Sequence, residues 1–123
     1  MPAARTKKAR RRPRYPRVPH AVKEAWCAAL RSGRYRQCWG RLRWSTTRHD
    51  VRYCCLGLLA HLLGVRWRKT AWGWETACGQ RYSLPDEVRR RVKLREEDEE
   101  ALARMSDGGA SFAALADYIE ANF

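Results

Sequence analysis

The stretch from Cys54 to Val65 is the longest strongly apolar run in the chain, and it dictates what the rest must do. Leu56-Gly57-Leu58-Leu59-Ala60-His61-Leu62-Leu63 is apolar nearly all round, which predicts a short helix covered on several sides at the centre of the core. His61 interrupts the run, which falls well short of the ~20 residues that a membrane-spanning helix needs, so a soluble protein is expected. The 123 residues suffice for one core and not for two, which excludes a two-domain enzyme.

Around that helix the periodicity changes from element to element. Val22, Trp26, Ala29 and Leu30 recur on one helical face, predicting a helix from Pro19 to about Ser32 closed by Gly33 as a left-handed cap. Cys38 to Trp44 alternates, with Cys38, Gly40, Leu42 and Trp44 on one side and Trp39, Arg41 and Arg43 on the other. Val51, Tyr53 and Cys55 alternate again, so a β-hairpin is expected. Arg66 to Tyr82 mixes three tryptophans with two glycines and suggests at most a short third strand near Ala77 to Tyr82. Ser83 and Pro85 read as the start of a short basic helix reaching about Val92. Glu96 to Met105 is helical with an acidic first turn, and Ser106-Asp107-Gly108-Gly109 ends it. Ser111 caps a last helix whose apolar stripe is Phe112, Leu115, Ala116 and Ile119. The expected fold class is α+β, a small mainly helical domain over residues 19–123 with a hairpin or short antiparallel sheet.

Charge is distributed as unevenly as hydrophobicity. The formal net charge is +13, from 26 basic and 13 acidic residues. Arg5, Lys7, Lys8, Arg10, Arg11, Arg12, Arg14 and Arg17 all fall within residues 1–18, beside repeated prolines and no acid, which predicts a disordered basic arm. Such a density of cations releases counterions from a polyphosphate, so the arm reads as a phosphate-contacting element. A solubilising tail and a contact for an acidic host-protein surface are the competing readings. Residues 19–83 are basic and 84–123 acidic, so the folded body should be polarised if its two halves separate in space.

The side chains that usually carry chemistry lack the needed spacing. Cys27, Cys38, Cys54 with Cys55, and Cys78 are scattered, whereas structural zinc sites supply ligands in pairs two to four residues apart. Buried apolar roles suit Cys27, Cys55 and Cys54 better, no disulfide framework is expected, and no metal or other cofactor is called for. Cys54 or Cys55 with His49 or His61 could form a thiol–imidazole pair, but a histidine in an apolar helix is more often a core side chain. Nothing resembles a phosphate-binding glycine loop, and no enzymatic activity is expected. Among the six tryptophans, Trp26 and Trp44 lie on apolar faces and read as core. Trp39 shares a face with Arg41 and Arg43, where rings and guanidinium groups could stack bases or grip a partner; otherwise it packs beneath the first helix.

Ala29-Leu30-Arg31-Ser32-Gly33-Arg34-Tyr35-Arg36-Gln37, Gly40-Arg41-Leu42-Arg43 and Tyr53-Cys54-Cys55-Leu56-Gly57-Leu58-Leu59 together resemble a family of small proteins encoded by tailed bacteriophages. Leu84-Pro85-x-x-Val88, Met105-Ser106-Asp107-Gly108-Gly109 and Ser111-Phe112-Ala113-Ala114-Leu115-Ala116-Asp117-Tyr118-Ile119-Glu120 follow in that family's order. The resemblance spans about residues 22–122 and departs at Leu58, often valine there, and at Ala114, often an acid. It implies a phage accessory protein in the cytoplasm of the infected host and transfers no catalytic residue. Two functions are compatible with these features. One is binding of nucleic acid or a nucleoprotein through the arm and the hairpin residues Trp39, Arg41 and Arg43; the other is inhibition of a host defence or transcription protein through the acidic helices or exposed tryptophans.

Overall fold

The computed structural model describes residues 17–123. Among them, five helices and five short strands run in the order α1 (His20–Arg31), β1 (Arg36–Gln37), β2 (Arg43–Ser45), β3 (Val51–Tyr53), α2 (Cys55–Leu62), β4 (Trp67–Thr70), β5 (Gly73–Thr76), α3 (Asp86–Arg91), α4 (Glu96–Asp107) and α5 (Phe112–Asn122). The fold is α+β, and its strands form two small sheets. In the first, β3 is central, antiparallel to β2 with Trp44 opposite Arg52 and parallel to β1 with Gln37 opposite Tyr53. The second is the β4–β5 hairpin.

The apolar run forms α2, and every residue from Cys55 to Ala60 is buried. Helix α1 covers it with Trp26, whose indole N–H donates to the Cys55 carbonyl at 2.9 Å. Helix α5 packs along α1 through Leu115, Ala116 and Ile119, all fully buried. Its first turn is closed by the Ser111 hydroxyl, which accepts from the Ala114 N–H at 3.2 Å. Gly33 follows α1 at φ +76°, the left-handed backbone that ends a helix readily only in glycine. Helix α3 begins after Pro85 without a side-chain cap, so Ser83 does not play the expected capping role.

Three expectations about strands need correction. The Cys38–Trp44 alternation is broken by Gly40 at φ +79°, so only Arg43 onward is strand, and Trp44 is half-buried outside the core rather than part of it. The Arg66–Tyr82 region holds the β4–β5 hairpin. Its two-residue turn, Ala71 and Trp72, is tied by the Thr70 hydroxyl, which donates to the Gly73 carbonyl at 2.9 Å and accepts from the Trp72 N–H at 3.1 Å. Ala77 to Tyr82 is a return loop and not a strand; the Gln80 carbonyl accepts from the Thr76 N–H at 2.8 Å and the Arg81 carbonyl from the Leu42 N–H at 2.8 Å.

The basic segment also ends earlier than its composition suggests. Arg5, Lys7, Lys8, Arg10, Arg11, Arg12 and Arg14 lie outside the described residues, whereas Arg17 and Val18, assigned to the arm, belong to the folded body. Val18 is fully buried in the core. Arg17 pairs with the buried Asp98, reaches the Asn122 carbonyl at 3.5 Å and lies 5.5 Å from the Phe123 ring centroid, clamping α4 to the end of α5. The basic and acidic parts of the sequence therefore interlock. Arg31 of α1 likewise bonds Asp117 at 2.7 Å and Glu120 at 3.0 Å on α5.

Two consequences for stability follow from these contacts. A chain lacking residues 1–18 should melt about 10 °C below one lacking residues 1–16, since losing a buried valine costs about 2 kcal/mol and each kcal/mol shifts a domain of this size by about 5 °C; equal midpoints in thermal circular dichroism would refute the assignment of Arg17 and Val18 to the core. Gly57→Ala should be worse, because a Cβ there would stand 1.8 Å from the Leu42 carbonyl oxygen. The helix cannot retreat without losing its buried face, so a destabilisation of at least about 3 kcal/mol is expected in urea unfolding, at the top of the usual range for overpacking.

Candidate nucleic-acid interface

Because β-strand side chains alternate, Arg43 on β2 projects to the same side as Tyr53, its partner on β3. On the β4–β5 hairpin the same alternation gives one face Trp67, Lys69 and Trp74, and the other Arg68 and Glu75. The first of these faces meets β2, where the Trp74 indole N–H donates to the Ser45 hydroxyl at 2.7 Å. The two sheets thus close on one cluster of rings and cations. The Arg43 guanidinium carbon lies 3.9 Å from the Trp74 ring centroid, 5.5 Å from Trp67 and 5.7 Å from Tyr53. Lys69 approaches the same Trp74 ring at 5.8 Å. Tyr53 stacks on His61 at 4.9 Å, and Tyr35 meets both rings edge-on.

Electrostatics divide the hairpin's faces. Glu75 is buried and holds Arg68 at 2.5 Å and Arg81 at 3.4 Å, hydrogen bonds that keep its carboxyl below the ordinary range. Arg43, Lys69, Arg66 and Arg41 have no carboxylate partner among the described residues. Among the same residues, three buried side-chain polar atoms lack a hydrogen-bond partner, and two of them, Arg43 Nε and Trp67 Nε1, belong to this cluster. A buried donor left unmade costs about 1–3 kcal/mol, so these two atoms weigh against the stability of the cluster.

The sequence-derived site is partly assembled. Arg41 and Arg43 both reach β5: a Cβ on Gly73 would meet Arg41 Nη1 at 3.3 Å, and Arg43 covers Trp74. Trp39 does not join them. It stands 52% exposed on the turn before Gly40, which overturns the reading that packs it beneath the first helix. Arg17 is committed to Asp98, so of the arm residues it is the one removed from the candidate set. Sequence reasoning missed the hairpin itself, with Arg66, Lys69, Trp74 and, at its tip, Trp72, which is 74% exposed. The signal was the Thr70-Ala71-Trp72-Gly73 turn between Trp67-x-Lys69 and Trp74, obscured by the glycines on either side.

Four of the five cysteines, Cys27, Cys38, Cys54 and Cys55, are buried and pack in the interior, and Cys78 is exposed. Burial pushes the Cys54 thiol up to about 11, and Cys55 well above its ordinary value. Burial pushes Cys38 up to about 12. Cys54 Sγ accepts the Gly57 N–H at 3.4 Å as the N-cap of α2, and His61 Nδ1 lies 3.2 Å from the Tyr53 hydroxyl rather than against a thiol. No group of three or more His, Cys, Asp or Glu is placed to hold a metal ion among the described residues.

His61 reports on the cluster's charge. Partial desolvation of the exposed imidazole against the Tyr53 ring, reinforced by the nearby Arg43 cation, holds its pKa below the ordinary value of about 6.5. The unfolded chain therefore takes up this proton first, and His61 lowers stability as pH falls below that ordinary value until the folded-state imidazole is itself protonated. Arg43→Met should raise the His61 pKa measured by NMR titration and narrow that acid-side loss. An unchanged His61 pKa would show that the guanidinium is not where the stacking places it.

The cluster falls within the part of the chain for which a family is recognised. Residues 18–91, from Val18 at the start of the core to the end of α3, match the family model described as Domain of unknown function (DUF8296). No curated protein and no solved structure matches the chain. The matched span covers more than half of the sequence and contains both sheets and α2, and the chain belongs to the DUF8296 family.

Proposed function

We propose that this chain is a nucleic-acid-binding accessory protein of a tailed bacteriophage, acting in the cytoplasm of the infected host without catalysis. The observation that carries this reading is the face on which Arg43 and Lys69, free of carboxylate partners among the described residues, gather on the Trp74 ring, with Arg43 also over Trp67 and the exposed Trp72 at the hairpin tip. Cations with interleaved rings suit a polyphosphate strand whose bases stack on indole faces. The seven basic residues from Arg5 to Arg14 add sequence-independent phosphate contacts. The phage assignment rests on the sequence resemblance.

Titration of fluorescent single-stranded and duplex oligonucleotides over a series of salt concentrations tests this. Lys69→Ala should reduce the salt slope by up to about 1, one unit per lost phosphate contact. Trp72→Ala should weaken single-strand binding by about 1–3 kcal/mol and duplex binding less. No measurable affinity for either nucleic acid, together with capture of a single host protein from nuclease-treated lysate, would favour the inhibitor reading instead.

A further inference from the structure

A cavity of about 170 Å³ opens between the Gly40 turn, the start of α2 and the last turns of α4. Cys54, Leu56, Ser106, Tyr82, Arg41 and Asp107 are among the residues that line it. Ser106 is 4% exposed, and its hydroxyl is the third buried polar atom without a partner, so it does not make the bond to the preceding helical turn that usually satisfies a serine in a helix. The positive end of the eight-residue helix α2 meets the same space. Arg41 and Asp107 lie in its wall with no carboxylate or cationic partner among the described residues, and the half-exposed Tyr82 ring stands at its side.

These features select a ligand. A bare phosphate is disfavoured, because Asp107 would repel it beside Arg41. A neutral planar heterocycle with an acceptor for Arg41, a donor for Asp107 and either for the Ser106 hydroxyl answers the whole wall. The size agrees, since a cavity of roughly 150 Å³ holds one benzene ring. We infer that the cavity between α2, α4 and Tyr82 binds a single unstacked pyrimidine base of a nucleic-acid strand, with Arg41, Ser106 and Asp107 reading its edge. This deepens the nucleic-acid reading and rests on it. Arg41 connects the two sites, since it lines the cavity and also reaches Gly73 of the β4–β5 hairpin.

The test uses the full chain with three single strands of equal length: oligo(dC), oligo(dA) and a fully abasic strand that keeps the phosphates. The unsubstituted protein should bind oligo(dC) about tenfold tighter than the abasic strand, on the scale of one stacked and hydrogen-bonded base, and tighter than oligo(dA). Ser106→Leu, which fills the cavity, should lower oligo(dC) affinity to that for oligo(dA) and leave abasic binding unchanged. Should Ser106→Leu fail to fold by circular dichroism, Tyr82→Ala at the exposed rim takes its place with the same expectation. Equal, salt-sensitive binding of oligo(dC) and oligo(dA) would overturn the base pocket and leave the nucleic-acid reading standing. Persistence of the oligo(dC) preference over oligo(dA) in a folded variant would also overturn it. Binding of no strand would defeat both readings together.

Discussion

The backbone of Leu42 is the point on which the fold depends. Its N–H donates to Arg81 at 2.8 Å, its carbonyl accepts from Cys54 at 3.2 Å, its side chain is fully buried, and α2 lies directly on it at Gly57. A helix carrying any side chain at position 57 could not come this close. The contact fixes the first turn of α2 against the entry to β2 and draws the return loop after β5 onto the same residue. Through it the two sheets face each other around Arg43 and Trp74. The aromatic cluster is thus a consequence of core packing around a glycine that bears no functional group.

The same constraint explains what was legible in the sequence. Helix α2 was visible because a nearly continuous apolar run can do little but be surrounded, and α1 and α5 because their stripes repeat at the helical period. The extent of β2 was not, because alternation over Cys38 to Trp44 is also produced by a turn at Gly40 that buries Cys38 and Leu42 and exposes Trp39. The β4–β5 hairpin was missed for a related reason. One of its faces packs rings against β2 and the other pairs charges, so neither face alternates cleanly between apolar and polar. Arg17 was misassigned because its partner, Asp98, is distant in sequence and its role depends on tertiary proximity alone.

For the candidate site, sequence supplied residue types and little placement. Arg41 and Arg43 were grouped as residues two apart on one strand, whereas β2 begins only at Arg43, and Arg41 reaches Gly73 while Arg43 covers Trp74. Trp39 was grouped with them by parity and separated from them by the left-handed backbone of Gly40. Ser106 could not be singled out. It reads as a helix-ending serine before two glycines, and only burial without a partner distinguishes it.

The electrostatic division of the β4–β5 hairpin gives the aromatic face its chemical character. Glu75 takes both Arg68 and Arg81, so the only acid of the hairpin is consumed on the far side. Arg43 and Lys69 are left to be satisfied by rings. A ring quadrupole attracts a cation without cancelling its charge, and stacking at 3.9 Å strips water from one side of the Arg43 guanidinium. The outcome is a face that keeps its positive charge, is incompletely hydrated and has two buried N–H groups with no acceptor. The nucleic-acid strand proposed above would set its phosphates against these outward charges and its bases against the rings, two contacts that a simple anion or an apolar peptide could not make together.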